Sequence, residues 1–297
     1  MMNNEKSNGR LKREITTAAP LPDYTNAKIA YQGIKGANSH EAALRMFPNS
    51  ELHNYPVFSD VFEAVEKGEC SFGILPVENS TAGSVSAVYD LILRYRFYIV
   101  GALDLPIDYC LAGLRQSELE DIEMVVSHPQ ALSQCEKYTA KRGFKAMSCS
   151  NTAVAALDTA NEKRLNLAAI CSYKAAEEYG LKILDNHLQD NKYNSTRFIV
   201  ISKKLYIDDN ANKVSLCFCL PHESGSLYDM LGRFNSLGLN LTKIESRPIP
   251  GKSFEYLFYL DFSGSVRNEG VTDLMCSLSE EMPEFSFLGN YSETPAF

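Results

Sequence analysis

Between residues 28 and about 202 the sequence switches repeatedly between short apolar runs and stretches with helical spacing, and no other feature narrows the fold as much. Lys28-Ile-Ala-Tyr-Gln-Gly33 reads as a strand ending in glycine, and residues 39–47 as a helix. A strand near 52–57, a helix over 59–67 and the strand Phe72-Gly-Ile-Leu-Pro76 follow. Helical spacing over 84–95 precedes an extended run at 124–126 and helices over 128–142 and 151–160. A strand at 167–170 and a helix at 173–179 close the series. Such alternation implies an α/β fold with parallel or mixed sheets. In those sheets, ligand-binding groups collect at the carboxyl ends of strands and at helix starts.

After a polar stretch at 203–213, with its turn-forming Asp208-Asp209-Asn210, the pattern changes. Strand 214–220, helix 226–237, strands 239–244 and 254–262, helix 268–281 and an extended run at 284–291 follow. That order, β-α-β-β-α-β, is the ferredoxin-like arrangement. A unit this small suits small-molecule sensing or dimerisation better than chemistry. The domains expected are therefore a leader at 1–27, an α/β domain at 28–202, a linker at 203–213 and a ferredoxin-like domain at 214–297. The leader is polar, lacks an apolar signal core and is expected to be mostly flexible.

A chain of 297 residues can bury sizeable cores. Its net charge of −8 argues against nucleic acid or an anionic membrane as main partner. An anionic substrate must therefore be held by locally concentrated donors. No run approaches the roughly 20 apolar residues of a membrane span. The eight cysteines (70, 110, 135, 149, 171, 217, 219 and 276) show no paired spacing for zinc. Free buried thiols in a reducing cytosol are the simplest reading, so a cytoplasmic location is expected.

Polar residues cluster at several expected strand ends and helix starts. Asn194-Ser-Thr-Arg-Phe198 runs into the apolar strand Ile199-Val-Ile-Ser202. There Arg197 offers a rigid fork of donors suited to a carboxylate, and Thr196 a single short hydroxyl beside it. Gly33-Ile-Lys-Gly36-Ala-Asn-Ser39 is either a plain strand-to-helix turn or an anion-binding helix start. It is not a dinucleotide fingerprint, because Lys35 and Asn38 stand where further glycines are needed. Pro76-Val-Glu78-Asn79-Ser80-Thr-Ala-Gly83 reads as a ligand cradle, or as a helix cap through Ser80 or Ser84. At Ser127-His-Pro-Gln130, Ser127 fits an N-cap and Gln130 the third position of a capping box. Gln134 lies on the same helix face without a capping role, and His128 reads as an ordinary helix-start residue. Ser150-Asn151-Thr152 opens another helix, where capping suffices although a hydroxyl facing the cleft also fits. These clusters supply no Ser-His-Asp constellation, metal site or phosphate loop. They share mostly uncharged donors around one strong cation, which suits a small carboxylate-bearing molecule.

Taken together and in order, these segments resemble prephenate dehydratase. The matching pieces are residues 33–43, 73–85, 127–135, 151–156, 168–181 and 194–198, and the C-terminal part resembles that family's ACT regulatory domain. Gly225-Ser-Leu-Tyr228 and Asn240-Leu-Thr-Lys-Ile-Glu-Ser-Arg-Pro248 carry that second likeness. The resemblance implies two α/β subdomains of periplasmic-binding-protein type with the active site in the cleft, and no cofactor or metal. It implies conversion of prephenate to phenylpyruvate in phenylalanine biosynthesis. The family's catalytic positions fall on Thr196, Asn79, Ser127 and Gln134. Arg197 is expected as carboxylate anchor, with Phe198, Ser39, Glu78, Ser80 and Thr152 as further substrate contacts. Gly225, Ser226, Leu227, Asn240, Leu241, Glu245 and Ser246 are expected to bind L-phenylalanine between paired ACT domains, which requires a homodimer or homotetramer.

The chain departs from the family at Ile34-Lys35 and Ala37-Asn38 in the first motif, and at Ser224 and Ser226 in the sensor. Two other functions compete: arogenate dehydratase, acting on the amino analogue of the same substrate, and a non-catalytic amino-acid sensor. A fusion to chorismate mutase is not expected, because some 27 residues before the first strand are too few for a helical mutase domain.

Overall fold

The computed structural model describes residues 4–249 and 255–294. In chain order the first elements are α1 (Asn4–Thr17), β1 (Lys28–Gln32), α2 (Asn38–Met46), β2 (Glu51–Tyr55), α3 (Phe58–Glu66), β3 (Phe72–Asn79) and β4 (Gly83–Ser84). Next come α4 (Ser86–Tyr95), β5 (Tyr98–Pro106), β6 (Cys110–Gly113), β7 (Met124–Ser127), α5 (Pro129–Gln134), α6 (Glu136–Arg142) and β8 (Lys145–Ser148). Then follow α7 (Thr152–Glu162), β9 (Leu167–Cys171), α8 (Tyr173–Glu178), β10 (Lys182–Asp185) and β11 (Ser195–Ser202). The last are β12 (Lys213–Cys219), α9 (Ser226–Ser236), β13 (Asn240–Pro248), β14 (Tyr256–Ser263), α10 (Glu269–Glu281), β15 (Ser286–Tyr291) and β16 (Glu293–Thr294). No described helix is long and apolar enough to cross a membrane.

The chain divides into two compact units, and strands β5 and β11 run from one into the other. Residues 24–89 and 103–198 form a unit of two α/β subdomains. In the first, β1 pairs in parallel with β2 and β3, and the start of β11 lies beside β3. Ile29, Ala30, Ile74 and Leu75 are fully buried, as expected of parallel strands covered on both faces. The second sheet has the order β10-β6-β9-β7-β8, with β7 parallel to β8 and β9, and β6 antiparallel to β9 and β10. Its core is rich in alanine: Ala112, Ala153, Ala155, Ala156, Ala169, Ala175 and Ala176. Such small side chains let α7 and α8 lie close to the strands. The expected two-subdomain α/β architecture is therefore present.

Residues 199–294, with 90–102 and the N-terminal segment, form the other unit. Its antiparallel sheet runs β13-β14-β12-β15, closing the expected β-α-β-β-α-β unit. Val214, Leu216, Phe218, Phe234, Leu260, Phe262, Met275 and Leu278 form its core.

Several expectations are corrected. The leader holds a helix, α1, whose Ile15 is 2% exposed within this core and whose Lys12 Nζ lies 3.1 Å from Asp273 Oδ1 on α10. The segment 203–213 is packed rather than free, with Ile207 and Ala211 in the same core. The single helix expected over 128–142 is two, broken at Cys135 (φ −116°, ψ 21°). Phe254, the expected first residue of a strand, lies outside the described residues.

Candidate active site

The end of β3 and the start of β11 are stitched together by the loop that leaves β3. Ser80 N–H donates to Ser195 O and Ser195 N–H to Ser80 Oγ, both at 2.9 Å. Ser80 Oγ donates in turn to Tyr193 O at 3.1 Å. Ser80 thus holds backbone, and this brings Asn79 against Thr196.

Backbone donors fix the orientation of Asn79. Its Oδ1 accepts the N–H groups of Thr81 at 3.1 Å and Ala82 at 3.0 Å. A backbone N–H can only donate, so the opposite corner of the amide must be its nitrogen. Asn79 Nδ2 lies 2.9 Å from Asn194 Oδ1, 3.1 Å from Ser195 O and 3.0 Å from Thr196 Oγ1. Thr196 Oγ1 is therefore an acceptor in the only side-chain hydrogen bond it forms among the described residues. Among the described residues no acceptor is seen for its own proton. The hydroxyl is also largely screened from water, since Thr196 is 9% exposed.

Helix α5, which follows β7 of the second sheet, brings two amides to the same place. Gln130 Nε2 donates to Asn79 Oδ1 at 3.3 Å. Gln134 Nε2 donates to Thr81 Oγ1 at 2.6 Å, and its Oε1 accepts Asn194 Nδ2 at 3.1 Å. Thr196, Asn79 and Gln134 are thus brought together as the sequence implied. Thr81, Gln130 and Asn194 join them, although none was expected at the site and Gln130 was expected only in a capping box. All three lie inside motifs quoted above: Thr81 follows Asn79-Ser80, Gln130 closes Ser127-His-Pro-Gln130, and Asn194 opens the Asn-Ser-Thr-Arg-Phe run.

Ser127 differs from its expected role. It ends β7, is fully buried, and donates from Oγ to Ile170 O at 2.6 Å. The helix cap is instead His128, whose Nδ1 accepts Gln130 N–H at 3.2 Å. Ser127 binds two strands together through its hydroxyl proton.

Arg197 also departs from expectation. Its Nε and Nη2 meet Asp104 Oδ1 and Oδ2, each at 2.8 Å. The fork expected to clamp a substrate carboxylate is closed on an internal one. Asp104 went unnoticed because it sits in β5, a strand with no clear apolar rhythm. Phe198, 1% exposed, is a core residue rather than a substrate contact.

Other expected contacts occupy varied settings. Ser39 is buried at the start of α2, and Thr152 is buried as the first residue of α7. That helix is capped by Asn151, whose Oδ1 accepts Val154 N–H at 2.8 Å. Glu78 stands opposite Ser84 in the β3–β4 ladder. In the glycine turn before α2, three N–H groups bond internally: Gly33 to Tyr55 O, Ala37 to Ile34 O, and Gly36 to His40 Nδ1 at 3.1 Å.

In the other unit, Gly225 (φ +94°) precedes α9 and allows the chain to enter that helix from the left-handed region. A cavity of about 650 Å³ there is lined by His222, Glu223, Ser226, Leu227, Tyr256 and Phe258. Asn240, Leu241, Glu245 and Ser246 lie instead on β13, at the edge of its sheet. Glu245 is paired there with Lys243 at 3.2 Å and Arg247 at 3.3 Å. The structure thus divides the expected effector residues between two places on one copy of the chain.

A two-sheet α/β unit with a shielded cluster of neutral amides and hydroxyls, joined to a β-α-β-β-α-β unit, defines a protein built to handle a small polar molecule. The family model described as Prephenate dehydratase matches residues 29–205, and the chain belongs to that family. Arogenate dehydratase/prephenate dehydratase 1, chloroplastic, from Arabidopsis thaliana is 38% identical over 285 residues, spanning 91% of this chain and 73% of that protein. Prephenate dehydratase from Arthrobacter aurescens in complex with L-Phe is 29% identical with a TM-score of 0.81, over 91% of this chain and 92% of that one. GqqA, described as a novel type of quorum quenching acylase, is 28% identical with a TM-score of 0.82, over 90% of this chain and 98% of that one.

Proposed function

We propose that the chain converts prephenate to phenylpyruvate, releasing carbon dioxide and water. The observation that carries this reading is Asn79 holding Thr196 Oγ1 as an acceptor at 3.0 Å, which leaves the hydroxyl proton to face the substrate. As the ring carboxylate departs as carbon dioxide, its electron pair enters the ring and expels hydroxide from the opposite carbon. The ring becomes aromatic, so the reaction needs little acid strength from the protein. Thr196 hydrogen-bonds the leaving oxygen as negative charge grows on it, and solvent supplies the proton that completes water. An interaction strengthened only in the transition state raises kcat rather than tightening substrate binding. The amides around Thr196 keep it oriented and, being neutral, do not repel a dianionic substrate.

Arogenate is the second substrate to be weighed, because the Arabidopsis relative carries both activities in its name. Purified protein should be given prephenate and arogenate separately, following phenylpyruvate absorbance and phenylalanine formation. Turnover of prephenate supports the reading, and turnover of arogenate alone reassigns the substrate. Ligand-induced stabilisation without turnover of either leaves an amino-acid sensor.

The β-α-β-β-α-β unit acts in this reading as an ACT domain that binds L-phenylalanine and lowers activity. Support comes from the Arthrobacter relative, which was solved with L-Phe. The position of β13 at a sheet edge adds to it, since an edge strand can pair with a second copy and unite the divided effector residues. Inhibition by L-phenylalanine accompanied by a shift in oligomeric state is expected in sedimentation experiments. Unchanged rates at saturating L-phenylalanine would reject it.

A further inference from the structure

The contacts around Asn79 close into a ring. Asn79 Nδ2 donates to Asn194 Oδ1 at 2.9 Å, and Asn194 Nδ2 to Gln134 Oε1 at 3.1 Å. Gln134 Nε2 donates to Thr81 Oγ1 at 2.6 Å, and Thr81 Oγ1 to Asn79 Oδ1 at 2.7 Å. Every member gives one hydrogen bond to the next and receives one from the last. The direction is not arbitrary, because the backbone N–H groups of Thr81 and Ala82 force oxygen onto one corner of Asn79. With that corner fixed, Thr81 can only donate to it. Gln134 must then present nitrogen to Thr81 and oxygen to Asn194, and Asn194 must present oxygen to Asn79. Hydrogen bonds running in one sense polarise one another.

Three ring members belong to the first-sheet side: Asn79 ends β3, Thr81 lies on the β3–β4 loop and Asn194 just precedes β11. Gln134 comes from α5, which packs on β7, β8 and β9 of the second sheet. We infer that this ring is a latch between the two subdomains, and that Thr81 and Asn194 are positioning residues for the reaction. The backbone N–H groups of Thr81 and Ala82 orient Asn79, and the ring ties that oriented amide, with the Thr196 hydroxyl it holds, to Gln134 of the second sheet. Thr81 is the member a single substitution removes most cleanly, since its hydroxyl both accepts from Gln134 at 2.6 Å and donates to Asn79 at 2.7 Å. The inference rests on the role given above to Thr196.

The test compares Thr81→Val, which keeps shape and removes both ring bonds, with Thr81→Ser, which restores the hydroxyl. Two readouts are needed: kcat and KM on prephenate or arogenate, and backbone amide exchange at residues 81, 82 and 132–135. Thr81→Val should lower kcat about tenfold with a smaller change in KM, the effect of two lost hydrogen bonds. It should also speed exchange at both sites, and Thr81→Ser should recover most of each. Non-additive losses in Thr81→Val combined with Gln134→Leu would show the ring acting as a unit. Wild-type kcat together with wild-type exchange in Thr81→Val would overturn the latch. If the unaltered protein turns over neither substrate, the proposed reaction fails, and amide exchange alone then decides for or against the latch.

Discussion

Arg197 and Asp104 form a two-pronged ion pair, Nε to Oδ1 and Nη2 to Oδ2, each at 2.8 Å. With side chains 24% and 26% exposed, the pair is shielded enough that losing one member should be felt. Asp104→Asn and Arg197→Lys are each expected to destabilise by about 1–3 kcal/mol, because neither can rebuild the fork. The melting temperature should fall by several degrees while KM changes little. A large rise in KM at unchanged melting temperature would return Arg197 to the role of substrate anchor.

The fixed amide of Asn79 gives a sharper experiment than its removal. Asn79→Asp puts an acceptor where Nδ2 now faces Thr196, so the threonine proton turns toward the carboxylate and away from the substrate. We expect kcat to fall by about 10²–10³, as when an oriented donor to a developing anion is lost. Thr196→Val should produce a similar loss without unfolding the protein, checked by near-ultraviolet circular dichroism. Near-normal turnover in either variant would remove Thr196 from the reaction.

Two histidines act as hydrogen-bond acceptors at helix starts, and this gives stability a direction in pH. His40 Nδ1 accepts Gly36 N–H, and His128 Nδ1 accepts Gln130 N–H. Burial is the main force holding both imidazoles below their ordinary pKa of 6.5. At His40, Lys35 and Lys174 add to the shift while Glu178 and Glu41 oppose it. The unfolded chain therefore takes up protons near pH 6.5 while the folded chain stays neutral at these sites. Their contribution is complete above that pH and declines as pH falls below it. Thermal melts at stepped pH should show this decline. Replacing His40 with Gln and His128 with Asn should flatten it, and an unaltered slope would locate the sensitivity elsewhere.

Gly36 adopts φ +81°, and a Cβ built there would lie 2.9 Å from the Cα of Ala175. Gly68 has a similar φ of +74° with open space around it. Gly68→Ala should therefore cost only the left-handed backbone penalty of about 1–2 kcal/mol. Gly36→Ala should cost more, because the start of α8 must also move. Equal losses in denaturant melts would mean that the close approach to Ala175 carries no energy.

The alternation of strand and helix was legible because each segment has one clear period and a punctuating Gly, Ser or Asn. Strand β8 escaped notice since all four of its residues are exposed and no apolar face marks them. In β5, Asp104 interrupts an otherwise buried run, and nothing local marks it as the partner of Arg197. The site was legible where a residue's role is local, as with Asn79 beside its own loop. Intramolecular partners distant in sequence were not legible: Ser127 is held by Ile170, forty-three positions away, and Arg197 by Asp104, ninety-three away. Spacing alone carries no record of such partners. The helical leader was missed for the same reason, since its apolar residues make sense only against a core assembled much later.

That late assembly bears on how the protein is made. Lys12 and Asp273 are separated by 261 positions. At a synthesis rate of about 5–20 residues per second, the opening helix waits roughly 13–50 s outside the ribosome before its docking surface exists. During that interval Ile15 and its neighbours are uncovered, so a newborn chain is exposed to aggregation and proteolysis at α1. Removing that segment to tidy an expression clone would leave the finished β-α-β-β-α-β unit with a permanent apolar notch.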